Sequence, residues 1–445
     1  MPVLDTKKLI DDGSIGALQI TVVVLCGFIV ALEGFDAQAI GYVAPSLSRE
    51  WGLHPGDLGP AISLGLVGLM AGALFIAPLA DRVGRRPILI VSTVLFGLGT
   101  LATAWARDLT GLTILRIVTG LGIGGAMPNA LALTSEFLPR RRRAFLIVMM
   151  FNGFNIGSMA GGILSAHFTQ TLGWQAVFVI GGILPLLLAP LLAFVPESLT
   201  FLAADPTPKA QQRLNALIKR LRPNLDWTQP VEIKASEPPP HRKDVRALFS
   251  RGLALTTCLL WIIFFMSLLD VYMLVSWVPT ALHVAGAPPA AAITAGILLQ
   301  VGAIAASVPI GWALDRFGPL VALGPSYFLA AVCIACIGIF SSNTLLTQVI
   351  AFGAGFGLIG GQAGANAVAT VSYPTQLRST GVGWALGIGR IGSIVGPIGG
   401  GILLNAHVSI QHIFYLSAVP AMVATAAIIG LAFRPGDSSP AAGDG

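Results

Sequence analysis

Two carboxylates, Glu33 and Asp36, stand three residues apart near the end of the first long apolar run, in ALEGFDAQAIGYVAP at 31–45. On a helix that spacing puts both on one face. A charged side chain inside a bilayer costs roughly 3 kcal/mol or more, so it needs a partner, a water-filled cavity or a proton. Two readings are open. In one, the run ends at Leu32 and the acids sit among lipid headgroups. In the other, the apolar residues up to Val43 carry a tilted span past them. The pair then faces an internal cavity and can bind a proton, because two like charges taken out of water are hard to keep.

Three further ionisable residues interrupt apolar runs: Arg116, Asp270 and Arg390. A guanidinium offers planar, two-pronged hydrogen bonding to a carboxylate. Arg116 and Arg390 can therefore hold an anionic substrate, or neutralise the acidic pair as a structural ion pair. Asp270 reads as a second proton site, an acceptor for a substrate hydroxyl, or a pore-facing polar residue. Histidines 167, 283, 407 and 412 fall at the ends of runs and are weak candidates for a proton relay.

These residues need helices to hold them, and the composition supplies that frame. The chain has 445 residues, 55% hydrophobic and 10% charged. A soluble domain carries about 25% charged residues, so this is a membrane protein. Twelve apolar spans are expected, each of about the length a helix needs to cross hydrocarbon. They run over 17–44, 57–80, 87–106, 110–134, 143–167, 174–195, 252–280, 289–314, 320–340, 344–371, 380–404 and 412–433. The fold class is an all-α membrane protein of two six-helix bundles, 17–196 and 252–433. A lead (1–16), a linker (197–251) and a tail (434–445) complete it.

The net charge of +6 invites a nucleic-acid reading, but its distribution rejects one. Of 26 Lys and Arg, 22 fall in segments assigned to one side, and only Arg49 and Arg107 fall on the other. That asymmetry is the positive-inside pattern and places both termini in the cytoplasm. The linker carries ten of the basic residues and the run Pro238-Pro239-Pro240, and 209–222 reads as a short basic amphipathic helix. The four cysteines lie in apolar spans without metal or disulfide spacing. No HExxH, GxSxG or paired His/Cys cluster is present, so the sequence asks for no enzyme activity, cofactor or metal.

The halves repeat. DRVGRRP at 81–87 is echoed by DRFGP at 315–319, 234 residues on, and GGIL at 161–164 recurs at 400–403, 239 residues on. Parallel halves are a recurring transporter plan, with the binding site near the midplane. In the first loop Asp81 and Arg85 can pair with each other and with a neighbouring helix end, Gly84 permits a sharp turn, and Glu136 is a further partner. Such latches hold one state of a rocking transporter. For an aromatic ligand, Phe35, Trp261, Phe265 and Tyr272 are available, the last three sharing a helix face by spacings of four and seven.

LADRVGRR, RIVTGLGIGGAMPNALALTSE (116–136), PES (196–198) and YPTQLRSTGVGWALGIGRIGSIVGPIGGGIL (373–403) resemble the aromatic acid:proton symporter family of the major facilitator superfamily. The resemblance spans essentially the whole chain. That family carries D-G-x-D in its first span, and here the motif stands as Glu33-Gly34-Phe35-Asp36. The resemblance implies transport and proton-coupling roles for Glu33 and Asp36. It implies functional roles for Asp81, Gly84, Arg116, Glu136, Arg378 and Arg390, and by the repeat Arg82, Asp315 and Arg316 join the latch. It implies import of an aromatic carboxylate such as a hydroxybenzoate, protocatechuate or gallate. The transporter would be bacterial, in the inner membrane, with protons and the lipid bilayer as its other partners, no nucleic acid and no need of a second subunit. The rivals are a proton-driven exporter of the same fold and a membrane sensor for aromatic acids. GSMAGG at 157–162 replaces an exporter's GPxxGG, which argues against the first.

Overall fold

The computed structural model describes residues 3–5, 10–11, 13, 15–205, 207–221, 232–234, 245–250, 252–374 and 377–432. The expected tail at 434–445 lies outside them. Twelve helices among the described residues are long and apolar enough to cross a membrane. The chain divides into two units, Met1–Pro240 and His241–Gly445.

The first unit holds α1 (Ala17–Trp51), α2 (Pro55–Val83), α3 (Arg85–Thr103), α4 (Leu109–Phe137), α5 (Arg140–Thr171) and α6 (Gln175–Phe194). Local chemistry sets the ends. The Gln19 side chain accepts from Gly16 N at 2.7 Å, and Asp108 accepts from Gly111 N at 2.6 Å. α1 runs past its expected end at 44, through Pro45, to Trp51. A proline removes one backbone donor, which membrane helices tolerate where neighbours compensate. α2 carries a π turn at Gly72–Ile76. The basic helix Pro208–Leu221 forms as expected and buries Ala210, Leu214, Leu217 and Ile218 in the core of this unit.

α1 packs along α5, α2 along α4 and α3 along α6. Glycine makes these approaches possible, since in lipid close van der Waals packing replaces a hydrophobic drive. A Cβ on Gly157 would lie 1.7 Å from the Ala31 carbonyl oxygen, and one on Gly34 would lie 1.9 Å from that of Phe154. The glycine of the acidic motif is thus required by the α1–α5 contact.

The second unit holds α7 (Ala254–Val284), α8 (Pro289–Phe317), α9 (Pro319–Ile339), α10 (Thr344–Ser372), α11 (Arg378–Asn405) and α12 (Ile410–Ala432). Its pairings repeat the first: α7 with α11, α8 with α10, α9 with α12.

Equivalent contacts fix the register between the units residue by residue. The bond closing α1, Leu53 N to Ser48 O, recurs 234 residues on as Ala287 N to Leu282 O, and Pro45 recurs as Pro279. Gly84 and Gly318, at φ +106° and +82°, are 234 apart and turn the chain into α3 and α9. A Cβ on Gly122 would meet Ser92 O and Phe96 N, and one on Gly357 would meet Ser326 O and Ala330 N. Gly157 abuts Ala31 as Gly392 abuts Phe265. The offset is therefore 234 for α1–α3 and 235 for α4 and α5. The GGIL recurrence, at 239, is one helical turn out of register and is not the structural equivalence.

Candidate functional site

In the first unit the acidic motif meets its partner across helices. Arg116 Nη1 from α4 donates to both carboxylate oxygens of Asp36 at 2.9 Å. Thr100 Oγ1 from α3 donates to Asp36 Oδ1 at 2.9 Å. Arg116 Nη2 reaches Thr103 Oγ1 at 2.9 Å and Thr119 Oγ1 at 3.2 Å. The guanidinium also lies over the Phe178 ring, 5.3 Å from its centroid. Asp36 is 5% exposed and Arg116 4%. Glu33 is buried on the same face of α1, one turn earlier. Of the two readings left open for Arg116, the structure shows the ion pair. Phe35, expected beside a substrate, is instead buried among Gly161, Gly181 and Thr100 inside the unit.

The second unit offers a different arrangement. Arg390 on α11 is half-buried, and its Nη1 donates to Tyr272 Oη of α7 at 3.3 Å. Among the described residues it has no carboxylate partner. Asp270, two residues before Tyr272, is fully buried, and neither of its oxygens has a hydrogen-bond partner among the described residues. One turn before it, Ser267 Oγ bonds Tyr327 Oη of α9 at 2.8 Å and donates to Gln362 Oε1 of α10. The three aromatics expected to share a face do not share a site. Trp261 stacks on Trp384 at 5.9 Å and meets Phe249 edge-on at 5.4 Å. Tyr272 lies about 16 Å further along α7 at 1.5 Å per residue. Phe265 lies between them, half-buried, its carbonyl against Gly392.

The turn between α2 and α3 forms a polar knot within the first unit. Arg85 forms an ion pair with Glu136 of α4, whose Oε2 accepts from Ser198 Oγ at 2.7 Å. Glu197 Oε1 accepts from the backbone N–H of Arg85 at 2.9 Å and of Arg86 at 3.2 Å. The expected Asp81–Arg85 pair is not formed; Asp81 and Arg82 are exposed. The reason is that the positive φ of Gly84 sends Arg85 onto the next helix, toward Glu136. In the second unit Arg316 lies 5.9 Å from the ring centroids of Trp312 and Phe317, and Arg378 is exposed at the first residue of α11. The Asp315 side chain lies outside the described residues.

The family model described as Major Facilitator Superfamily matches residues 26–306 and 260–444. The chain belongs to the major facilitator superfamily. Its curated relatives include a gallate transporter of Pseudomonas putida, 40% identical over 96% of this chain and 94% of the relative. They also include the 4-hydroxybenzoate transporter PcaK of Pseudomonas putida, 39% identical over 96% and 95%. Among solved structures, the partially occluded inward-open xylose transporter XylE from E. coli superposes with a TM-score of 0.71. It is 16% identical and covers 94% of this chain and all of that one. This is a multi-pass membrane transporter of that superfamily, not an enzyme, with its aromatic-acid transporters as relatives.

Within the family site, the residues that sequence reasoning missed are the threonines around Asp36, together with Glu197, Ser267, Tyr327 and Gln362. Thr100 and Thr103 carried a signal, being hydroxyls three apart in a span whose other hydroxyls are Ser92 and Thr93. Glu197 appeared only as the centre of the PES motif.

Proposed function

We propose that this transporter imports an aromatic carboxylate, a hydroxybenzoate, gallate or close analogue, by proton symport through alternating access. The observation that carries the reading is Arg390. It is a half-buried guanidinium in a membrane-crossing helix, held by one neutral hydrogen bond to Tyr272 and by no carboxylate among the described residues. A substrate carboxylate supplies the missing partner in the two-pronged geometry a guanidinium favours, and Tyr272 sets an aromatic ring beside it. Arg116, already engaged by Asp36, is not available for that role. Both curated relatives named above are transporters of hydroxylated benzoates.

The buried carboxylates Glu33, Asp36 and Asp270 are the pool from which proton coupling is drawn. Importing an anion against a negative-inside potential needs one proton for neutrality and more than one to gain from the field, at about 2.3 kcal/mol per charge per 100 mV. The polar knot at Arg85, Glu136 and Glu197 serves as the latch that breaks when the halves rock. The protein sits in a bacterial inner membrane, works as a monomer, and has both termini in the cytoplasm, as its basic segments imply.

The test is uptake of a radiolabelled panel of hydroxybenzoates and gallate by cells expressing the chain, with and without a protonophore. Accumulation of one acid, abolished by the protonophore and by Arg390→Ala, supports the reading. Faster loss of the compound from expressing cells would replace it with an exporter.

A further inference from the structure

One cavity in the first unit takes no part in the ion-pair site. It has a volume of about 530 Å³ and lies where α3 begins, beside the short helix Leu199–Ala204 and the basic helix Pro208–Leu221. That volume is in the range of pockets that hold small ligands. Its polar wall carries Arg86 from the first turn of α3, and Lys209 and Arg213 from the basic helix. Lys209 and Arg213 are four residues apart, so they stand on one face. Among the described residues none of the three cations forms an ion pair.

The basic helix is held in place. An amphipathic helix of this kind, left to itself, lays its apolar face into the membrane surface. Here Ala210, Leu214, Leu217 and Ile218 are buried in the core of the unit instead. The cations of its other face therefore keep a fixed place relative to α3.

Two carboxylates also line the cavity, and both are engaged by backbone donors. Glu197 Oε1 accepts from the N–H groups of Arg85, Arg86 and Ser198. Asp205 Oδ1 accepts from Thr207 N at 2.9 Å. Three cations thus face two carboxylates, an excess of one positive charge.

The remaining wall is apolar. Val83, Ile90, Val91 and Phe201 line it. Val91 is 61% exposed, and Leu98, two turns further along α3, is exposed as well. α3 crosses the membrane, so hydrocarbon covers that stripe. The cavity is therefore cationic at the polar end of α3 and open toward its lipid-covered face. A soluble anion uses the first feature and leaves the second empty. A phospholipid uses both.

We propose that this cavity holds one anionic phospholipid. Its phosphodiester sits on Arg86, Lys209 and Arg213, and an acyl chain runs along Ile90, Val91 and Leu98. The lipid class is one with a single net negative charge, as in phosphatidylglycerol, because that charge matches the excess of one. A zwitterionic lipid brings its own cation and leaves the excess uncancelled. Basic side chains at a membrane surface attract anionic lipid in any case. What the cavity adds is a fixed place for one molecule.

The experiment uses the purified full chain in neutral detergent, titrated with phosphatidylglycerol or phosphatidylcholine, and with glycerol 3-phosphate or inorganic phosphate as soluble probes. Native mass spectrometry counts retained lipid, and thermal unfolding reports protection by every probe. One phosphatidylglycerol per chain should be retained, about tenfold more tightly than phosphatidylcholine. Lys209→Ala/Arg213→Ala should weaken retention by about 10- to 30-fold, the loss of two basic contacts to an anionic headgroup. Lys219→Ala/Arg220→Ala removes two exposed basic residues of the same helix that do not line the cavity, and should change retention by less than about twofold. Arg86→Gln repeats the test from the α3 wall, so a folding defect in the basic helix cannot mimic the result. Equal weakening by the two double variants means diffuse attraction to a basic surface and overturns the proposal. So does phosphatidylcholine held as tightly as phosphatidylglycerol. Protection by glycerol 3-phosphate or inorganic phosphate equal to that by phosphatidylglycerol assigns the cavity to a soluble anion and overturns it as well.

Discussion

Asp36 and Asp270 occupy the same place in two copies of one six-helix plan, and their surroundings have diverged completely. In the first unit four helices contribute to a closed ion pair: α1 the acid, α4 the guanidinium, α3 the hydroxyls, α6 the ring beneath it. In the second unit the positions equivalent to Arg116 and the threonines are aliphatic, and the cation has moved to α11, where Arg390 stands at the equivalent of Asn155. A duplicated bundle has thus kept one copy as a charged keystone. The other copy has a carboxyl and a guanidinium that are not bonded to each other. Rigidity and responsiveness are divided between repeats that pack their helices alike.

The largest effect that can break this comparison comes from the keystone. Arg116→Ala leaves Asp36 buried without its cation, a change that costs about 3–5 kcal/mol for a buried pair. We expect a clear drop in thermal stability in detergent and loss of transport. Asp36→Ala/Arg116→Ala should be less destabilised than the two single losses combined, the signature of a direct interaction in a double-mutant cycle. Asp270→Asn, with no partner to strand, should melt within about 1 kcal/mol of wild type. Equal melting shifts for Asp36→Asn and Asp270→Asn would abolish the distinction between the two repeats.

Arg390 sharpens the comparison from the other side. Arg390→Ala should raise the KM for the aromatic acid by about 10- to 100-fold, the loss of one charged, two-pronged contact. Arg390→Lys should recover part of it, because a point charge attracts a carboxylate without matching its plane. Neither change should shift the melting temperature as Arg116→Ala does. If Arg390→Ala lowers stability and leaves KM unchanged, the arginine is structural and the two guanidiniums are alike after all.

Much of this architecture was legible before any coordinates. Twelve apolar runs, the basic amphipathic helix in the linker and the echo of DRVGRRP in DRFGP are properties of spacing and composition, which the bilayer reads directly. The buried charges were legible as charges, since so few interrupt the apolar runs. Their partners were not. Arg116 and Asp36 are 80 residues apart, and only the packing of α1 against α4 decides that they meet. The same holds for Trp261 and Tyr272, which share a face by periodicity and are divided by the aromatic neighbours that other segments supply. GGIL misled because a glycine stripe repeats every four residues, so a one-turn slip still matches letters. Backbone contacts at Gly122 and Gly357 carry no such ambiguity.

The turns that follow α2 and α8 give a third contrast, of intermediate size. Arg85 is tied to Glu136, and Glu197 caps the start of α3, whereas among the described residues Arg316 lies over Trp312 and Phe317. Glu136→Gln should slow uptake by about tenfold, and Arg316→Ala by about twofold, as one partly buried ion pair against one exposed cation–π contact would give. Initial rates at saturating substrate measure both. A larger loss from Arg316→Ala would move the latch to the second unit.

The smallest effect is the most direct test of what the two turns share and where they differ. Gly84 and Gly318 both hold positive φ, +106° and +82°, so alanine at either strains the backbone by about 1 kcal/mol or somewhat more. Only Gly84 is also crowded. A Cβ there would lie 2.6 Å from Glu197 Oε2, while nothing among the described residues lies within 4 Å of one at Gly318. Because that carboxylate caps α3 through two backbone N–H groups, displacing it costs a hydrogen-bond network as well as space. Gly84→Ala should therefore destabilise more than Gly318→Ala, by about 1 kcal/mol in thermal unfolding. Gly84→Ala/Glu197→Ala should lose the steric part of that gap. If the two glycine variants melt together, Glu197 yields freely and the first turn is no more tightly built than the second.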